Sequence, residues 1–139
     1  MKLLSSQVAR VTGLDPAYPL FARSTPESGK ISPADAELVD VIHTAIGRLG
    51  LKESVGHVDF YANGGVVPQP GCGVDRSASC SHERVCFLYA DSVGKPGAFP
   101  GRRCPDDGDV SEEKCTGAEA HMGERVEFRY AIYYFLNLP

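Results

Sequence analysis

The stretch Val11-Thr12-Gly13-Leu14-Asp15-Pro16-Ala17 decides the fold class that we predict for this 139-residue chain. Its apolar residues predict a short strand over residues 8–14 that is covered on both faces, as in a parallel sheet. The strand ends at Asp15, and Pro16 fixes a turn directly after it. We therefore expect a buried strand that delivers an exposed aspartate at its carboxyl end.

A histidine follows this aspartate along the chain, in the segment Cys80-Ser81-His82. An acid followed by a histidine is the order of the last two members of a hydrolase triad in which the serine comes first. No serine with the Gly-x-Ser-x-Gly pattern precedes Asp15. Ser5 and Ser6 have neither flanking glycines nor a preceding strand, so neither is a candidate nucleophile.

The composition is that of an ordinary globular protein, and the length allows one domain with its own core. The formal net charge is −4, which argues against nucleic-acid binding because that function uses a basic surface. No apolar run approaches the roughly 20 residues of a membrane span. Ser5, Ser6, Gln7 and Arg10 interrupt the apolar start, so we expect no signal peptide in this chain.

Five cysteines lie in the second half of the chain, and none of them forms a Cys-x-x-Cys pair. This spacing argues against structural zinc and against a thioredoxin-like site. Their placement in Gly- and Pro-rich segments favours disulfides in an oxidising, extracellular compartment. A natural N-terminal part absent from this chain would explain both the odd cysteine and the missing signal. Burial of a free Cys86 as a small hydrophobe is the other explanation of the odd cysteine.

Strand and helix patterns alternate along the rest of the chain. Ser32-Pro33-Ala34-Asp35 predicts the start of a short helix, with a serine cap, a proline in the first turn and an acid three residues after the cap. Asn63-Gly64-Gly65 predicts a turn after a strand. We expect strands over residues 38–43, 56–61 and 130–138, a helix over residues 82–93, and a loop over residues 94–117. This alternation predicts an α/β architecture.

Taken together, these segments resemble the animal lipase family related to pancreatic lipase, and most of all its insect-type members. The residues that carry the resemblance are Val11-Thr12-Gly13-Leu14-Asp15-Pro16-Ala17, residues 36–44 (AELVDVIHT), Gly56-His57-Val58-Asp59-Phe60-Tyr61 with Asn63-Gly64-Gly65, Gln69-Pro70-Gly71-Cys72, and Cys80-Ser81-His82. The resemblance implies that residues 1–139 form the later part of one α/β-hydrolase domain with disulfide-stapled loops. The earlier strands, the nucleophile elbow and the oxyanion loop would lie before Met1.

In that family, Asp15 would be the triad acid and His82 the triad base. An acid at the carboxyl end of a strand can accept the Nδ1 proton of a histidine and stabilise the imidazolium. The alternative for Asp15 is a turn residue that caps its own loop. Among the other histidines, His43 and His57 lie in apolar strand sequence and are expected to be buried and structural, and His121 is expected to be solvated.

The resemblance places Cys72 and Cys80 as a disulfide at the base of the lid, the loop that covers the active site in this family. Residues 73–79 between them are few and polar. So small a lid goes with phospholipase or esterase activity rather than with interfacially activated triglyceride hydrolysis. The other interpretation of Cys72 and Cys80 is a disulfide that only stabilises a surface loop. Cys104 and Cys115 are expected to form a second disulfide around an acidic, solvated loop.

Glu27, Lys30, Ser32 and Asp35 match the segment in which some relatives bind a structural calcium ion. Oxygen ligands spread over one loop suit this hard cation. A helix cap formed by Ser32 and Asp35 explains the same pair without a metal. Catalysis itself is expected to require no cofactor.

The resemblance implies a secreted carboxylic ester hydrolase of lipid metabolism, either a triacylglycerol lipase or an sn-1-specific phospholipase. Asp15 and His82 alone are expected to be inactive, because loss of the nucleophile costs on the order of a million-fold in turnover. A non-catalytic, yolk-type lipid-binding protein is the second hypothesis, although such a protein has no use for a triad acid and base. A small disulfide-stapled binding module is the third, and it does not explain the apolar strands. The expected partners are a lipid or ester substrate, contact with a lipid interface, and the N-terminal half of the same domain.

Overall fold

A computed structural model describes residues 8–19, 29–123, 126 and 132–138 of the chain. Six strands and one α-helix form the regular structure of this described part. In chain order they are β1 (Arg10–Leu14), β2 (Leu38–His43), β3 (Val58–Ala62), α1 (Ser79–Gly94), β4 (Pro100–Arg103), β5 (Glu119–His121) and β6 (Ile132–Leu136). A 3₁₀ turn at Pro33–Asp35 precedes β2, and another at Asn63–Gly65 follows β3.

The six strands form one mixed sheet in the order β1-β2-β3-β6-β4-β5. β1, β2, β3 and β6 run parallel, whereas β4 is antiparallel to both β6 and β5. The parallel strands are rich in β-branched and aromatic residues, which suit strands that are covered on both faces. Because the strands are parallel, their carboxyl ends meet at one edge of the sheet, where Asp15 follows β1 and Thr44 follows β2.

Arg10 and Thr12 fasten β1 to β2 through a buried aspartate, Asp40. Arg10 donates to the Asp40 carboxylate from Nε and from Nη2, each at 2.9 Å, and Thr12 Oγ1 donates to it at 2.9 Å. Asp40 is fully buried, and a buried carboxylate is stable only when it is paired and hydrogen-bonded. These bonds hold the register in which Thr12 lies opposite Asp40. They thereby fix how far β1 extends towards the edge that carries Asp15.

Apolar side chains pack on both faces of the sheet. One cluster contains Ile42 and Phe60 together with Val85 of α1. The other contains Val39 and Val41. Successive strand residues point to opposite faces, so the neighbours Val41 and Ile42 enter different clusters. The helix that carries His82 is therefore packed against the same sheet that carries Asp15.

The strands predicted over residues 8–14, 38–43 and 56–61 are confirmed as β1, β2 and β3, each within two residues of the bounds. The strand predicted over residues 130–138 is confirmed as β6 at residues 132–136, and residues 130 and 131 lie outside the described residues. The helix predicted over residues 82–93 is confirmed as α1, which begins three residues earlier. The helix predicted from Ser32 is a single 3₁₀ turn. Ser32 N–H donates to the Asp35 carboxylate at 2.8 Å as the capping pattern indicated, but the backbone is already extended at Ala36 because β2 follows.

The loop predicted over residues 94–117 is wrong at residues 100–103, which form β4. Pro-Gly-Arg-Arg lacks β-branched and aromatic residues, so no strand pattern was present. The strand forms because its backbone pairs with β6, with Gly101 opposite Leu136. A Cβ at Gly101 would lie 2.7 Å from Leu136 Cδ2 and 3.1 Å from Tyr134 Cβ, so any larger residue here would force these side chains to shift. The described residues therefore form a mixed six-stranded sheet with one α-helix, which is consistent with part of a larger α/β domain. In the described ranges no helix is both long and apolar enough to cross a membrane.

Candidate active site

Asp15 follows β1 directly and its carboxylate is buried. The backbone has a φ of 44°, and the Asp15 N–H donates to Ile42 O at 2.8 Å. The residue is only 1% exposed, which corrects our expectation of an exposed aspartate. Oδ1 accepts the Thr44 N–H at 2.8 Å and the Ala45 N–H at 3.1 Å. These two main-chain donors replace water and make burial of the charge tolerable.

His82 lies in the first turn of α1 and faces Asp15. Its Nδ1 is 2.6 Å from Asp15 Oδ2, and 35% of its side chain is exposed. A carboxylate offers only acceptors, so in this contact Nδ1–H donates the hydrogen bond and Asp15 Oδ2 accepts it. Nε2 is then the nitrogen that can accept a proton from a hydroxyl nucleophile. The structure thus brings together the two residues that the sequence order predicted as a pair.

Gly50 packs against the Asp15 carboxylate and limits the space available to it. A Cβ at Gly50 would lie 2.3 Å from Asp15 Oδ1. The Gly50 N–H donates to Ala45 O at 2.9 Å, which keeps the glycine in this position. The sequence gave no signal for this contact, because Gly50 lies in a turn far along the chain from Asp15.

Two features hold the amino end of α1, where His82 lies. The Cys72–Cys80 disulfide, with the Cα atoms 5.7 Å apart, joins the second residue of the helix to the loop before it. Asp75, inside that loop, accepts the Ser81 N–H at 2.8 Å. This hydrogen bond from the Ser81 backbone holds the pKa of Asp75 below its usual value, because it favours the charged carboxylate. The carboxylate also complements the positive end of the helix dipole.

The remaining histidines lie away from this pair. His43 is fully buried, where its Nε2 contacts Asp59 Oδ1 at 2.8 Å and its ring stacks on Tyr61. His57 is half-buried rather than buried, and its Nδ1 accepts the Val39 N–H at 2.9 Å. His121 is exposed, as expected. The structural interpretation of His43 and His57 agrees with these contacts.

The second predicted disulfide is also present. Cys104 and Cys115 are bonded, with their Cα atoms 4.0 Å apart. Cys86 is a free cysteine on the exposed side of α1. The alternative that Cys86 is buried as a small hydrophobe is therefore wrong, because this residue is exposed whereas the preceding Val85 is buried.

The residues matched to a calcium site are only partly described. Glu27 lies outside the described residues, and Lys30 lies just before the 3₁₀ turn. The Asp35 carboxylate accepts the Ser32 N–H at 2.8 Å, and Ser32 Oγ lies 3.4 Å from the same oxygen. Ser32 and Asp35 therefore place two oxygen groups on one turn, which suits calcium, while the capping box accounts for the same arrangement without a metal. Among the described residues, one group of three side chains has the spacing of a metal site, namely Cys72, Asp75 and Cys80. Its two cysteines form a disulfide, so neither offers a thiolate ligand.

Comparison with known proteins identifies the family to which the chain belongs. A family model described as Lipase matches residues 2–131 of the chain. The chain belongs to the lipase family. It is 41% identical to Lipase member H-B of Xenopus laevis over 126 residues, which cover 87% of this chain and 27% of that protein.

Two further lipases show the same pattern of coverage. The chain is 41% identical to pancreatic lipase-related protein 2 of Cavia porcellus in an alignment of 120 residues that covers 82% of this chain and 27% of that protein. It is 36% identical to pancreatic triacylglycerol lipase of Mus musculus in an alignment 146 residues long with gaps, which covers 86% of this chain and 31% of that protein. The chain therefore spans roughly a quarter to a third of the length of these lipases.

We predict that Gly50→Ala destabilises the lipase fold, because the new methyl group would overlap the Asp15 carboxylate. Overpacking of a buried site typically costs about 1–3 kcal/mol in the free energy of unfolding, which urea titration of the complete protein would measure. Gly94→Ala is the matched control, since a Cβ at Gly94 meets no atom within 4 Å. Equal stability of the Gly50→Ala variant and the unsubstituted protein would contradict the proposed packing.

Proposed function

We propose that this chain carries the acid and the base of a serine hydrolase that cleaves carboxylic esters of lipids. The observation that supports the proposal most strongly is the 2.6 Å contact between His82 Nδ1 and the buried Asp15 carboxylate. Membership of the lipase family supports the same chemistry. A storage or lipid-binding protein would have no need to bury a carboxylate against a half-exposed histidine, so the hydrolase is favoured over the yolk-type hypothesis.

The roles of the two residues follow from their geometry. A serine hydroxyl attacks the ester carbonyl while His82 Nε2 takes the hydroxyl proton, and the imidazolium is stabilised by Asp15. His82 then gives this proton to the departing alkoxide, which leaves an acyl-enzyme. Water repeats the sequence, with Nε2 as base and then acid, and releases the fatty acid. The buried hydrogen bonds of Asp15 keep the imidazole in the tautomer that leaves Nε2 able to accept.

The serine and the oxyanion donors are proposed to come from sequence that precedes this chain in the complete protein. β1 is an outer strand of the described sheet. A further parallel strand beside β1 would deliver its carboxyl end to the edge where Asp15 and His82 lie. Residues 1–139 would then be one part of a single hydrolase domain, and their partner would be the preceding part of that domain.

Residues 73–79, the lid loop, support a proposal about the substrate. The loop is closed by the disulfide that anchors α1, and Val74, at 86% exposure, is its one large apolar side chain. A loop of this size cannot bury an acyl cleft, so we infer open access for phospholipids and small esters. Two disulfides suit an oxidising compartment, and we propose that the protein is secreted.

Substitution of either Asp15 or His82 should strongly reduce ester hydrolysis by the complete protein. Asp15→Asn is expected to lower kcat by about 10⁴-fold, because the amide favours the wrong histidine tautomer. His82→Ala is expected to lower kcat by on the order of 10⁶-fold. His121→Ala is the matched control, because His121 is an exposed histidine outside the pair. Retention of full kcat by the His82→Ala variant would disprove the proposed role of the base.

A second prediction concerns the lid loop. Without a large lid, the rate of hydrolysis of a short-chain ester should rise smoothly with concentration through the critical micelle concentration. Steady-state rates with dispersed phospholipid and with trioleoylglycerol emulsion should favour the phospholipid. A step increase in rate at the critical micelle concentration, with preference for the emulsion, would indicate interfacial activation and contradict the proposal.

We also propose a structural calcium ion bound by oxygen atoms of Glu27, Lys30, Ser32 and Asp35. Lys30 would contribute its main-chain carbonyl, because an ammonium group cannot bind a cation. Calcium at about 100 times its dissociation constant should stabilise the fold by about 2.7 kcal/mol. The melting temperature should rise with calcium in the unsubstituted protein and in the exposed-site control Asp109→Asn, but not in Asp35→Asn. Identical melting temperatures in calcium and in EGTA would rule the site out.

A further inference from the structure

We propose that Gln69 is a positioning residue that holds the acid and the base of the pair in one closed ring of hydrogen bonds. The inference rests on the proposed hydrolase function, because positioning has meaning only for a reacting pair. Gln69 lies in the loop between β3 and α1 and is 2% exposed. Its position in sequence gave no reason to assign it a role.

The side-chain amide of Gln69 is hydrogen-bonded at both its nitrogen and its oxygen. Nε2 donates to Ala62 O at 2.7 Å, to Val66 O at 3.0 Å and to Thr44 O at 3.2 Å. Oε1 accepts Asn63 Nδ2 at 3.1 Å. An amide nitrogen has two protons, so three carbonyl groups share them. The amide therefore ties the ends of β2 and β3 together at the edge of the sheet that carries the pair.

One of these carbonyl groups leads directly to Asp15. Thr44 O and the Ala45 N–H belong to the same peptide group, which is planar and rigid. Gln69 holds the oxygen of this group at 3.2 Å, and the nitrogen donates to Asp15 Oδ1 at 3.1 Å. Any rotation of this peptide that loses the Gln69 contact also moves the donor away from the carboxylate.

The backbone of Gln69 leads to His82. The Gln69 N–H donates to Ser81 Oγ at 2.9 Å, and Ser81 is fully buried in α1 directly before His82. The ring is closed by the bond from His82 Nδ1 to Asp15 Oδ2. Within this ring, Gln69 is therefore the residue that contacts both the Thr44–Ala45 peptide group, which binds Asp15, and α1, which carries His82.

A ring of this kind matters for rate because misplacement of a reacting group by 1 Å can cost about 100-fold. Gln69→Met keeps the length of the side chain and removes its donors. In the complete protein we expect kcat for ester hydrolysis to fall by about 10- to 100-fold with KM nearly unchanged, since Gln69 is buried and would not contact the substrate. We also expect the low-field proton resonance of His82 Nδ1–H to move upfield or broaden.

Tyr61→Phe is the matched control for general loss of stability. Tyr61 is 1% exposed and donates from its hydroxyl to Lys52 O at 3.0 Å, so this variant also loses a buried hydrogen bond. It should lower the melting temperature but leave kcat and the His82 resonance unchanged. Equal losses of kcat in Tyr61→Phe and Gln69→Met would show that Gln69 has only a structural role and would overturn the proposal.

Ser81→Ala provides a second variant in case Gln69→Met does not fold. It cuts the ring at the bond from the Gln69 N–H, within a helix that tolerates alanine. Here too the proposal predicts a lower kcat and a shifted His82 resonance, and an unchanged resonance would contradict it. The His82 Nδ1–H resonance can be measured whether or not the protein is catalytically active. If the unsubstituted protein hydrolyses no ester, the proposed function fails, while the resonance still decides whether Gln69 positions the pair.

Discussion

The rest of the site depends on the burial of the Asp15 carboxylate. A charge removed from water must be hydrogen-bonded on all sides, and the donors must come from elsewhere in the chain. Two of them are main-chain N–H groups directly after β2, and the third is His82 Nδ1 on α1. The end of β1, the end of β2 and the start of α1 are therefore brought to one point. Reliance on main-chain donors explains why this site depends on the fold more than on particular side chains.

Other features of the molecule serve to keep those three elements in place. Asp40 fixes the register of β1 on β2 near the middle of the strands, where it lies opposite Thr12. The Cys72–Cys80 disulfide and Asp75 hold the first turn of α1. Gly50 packs directly against the Asp15 carboxylate, where a residue with a side chain would overlap it. None of these contacts involves the imidazole of His82 itself, yet each limits where its Nε2 can lie.

Patterns in the sequence predicted the parallel strands and α1, because apolar β-branched runs and helical periodicity are local properties. The order of Asp15 and His82 likewise indicated a pair before their contact was known. The burial of Asp15 could not be predicted, since its donors, Thr44 and Ala45, offer only backbone groups that any residue would carry. β4 was missed for a related reason, because the strand is made by pairing with β6 and not by its own residues. The role that we propose for Gln69 could not be predicted from the sequence, since a buried amide is recognisable only by the carbonyl groups around it.

The central claim is that Asp15 and His82 serve a serine in the same protein. The most direct measurement is reaction of the complete protein with a fluorophosphonate probe, followed by mass-spectrometric mapping of the modified residue. The account predicts one modified serine outside residues 1–139, and loss of the modification in the His82→Ala variant. Modification of a serine within these residues, or equal modification without His82, would contradict it.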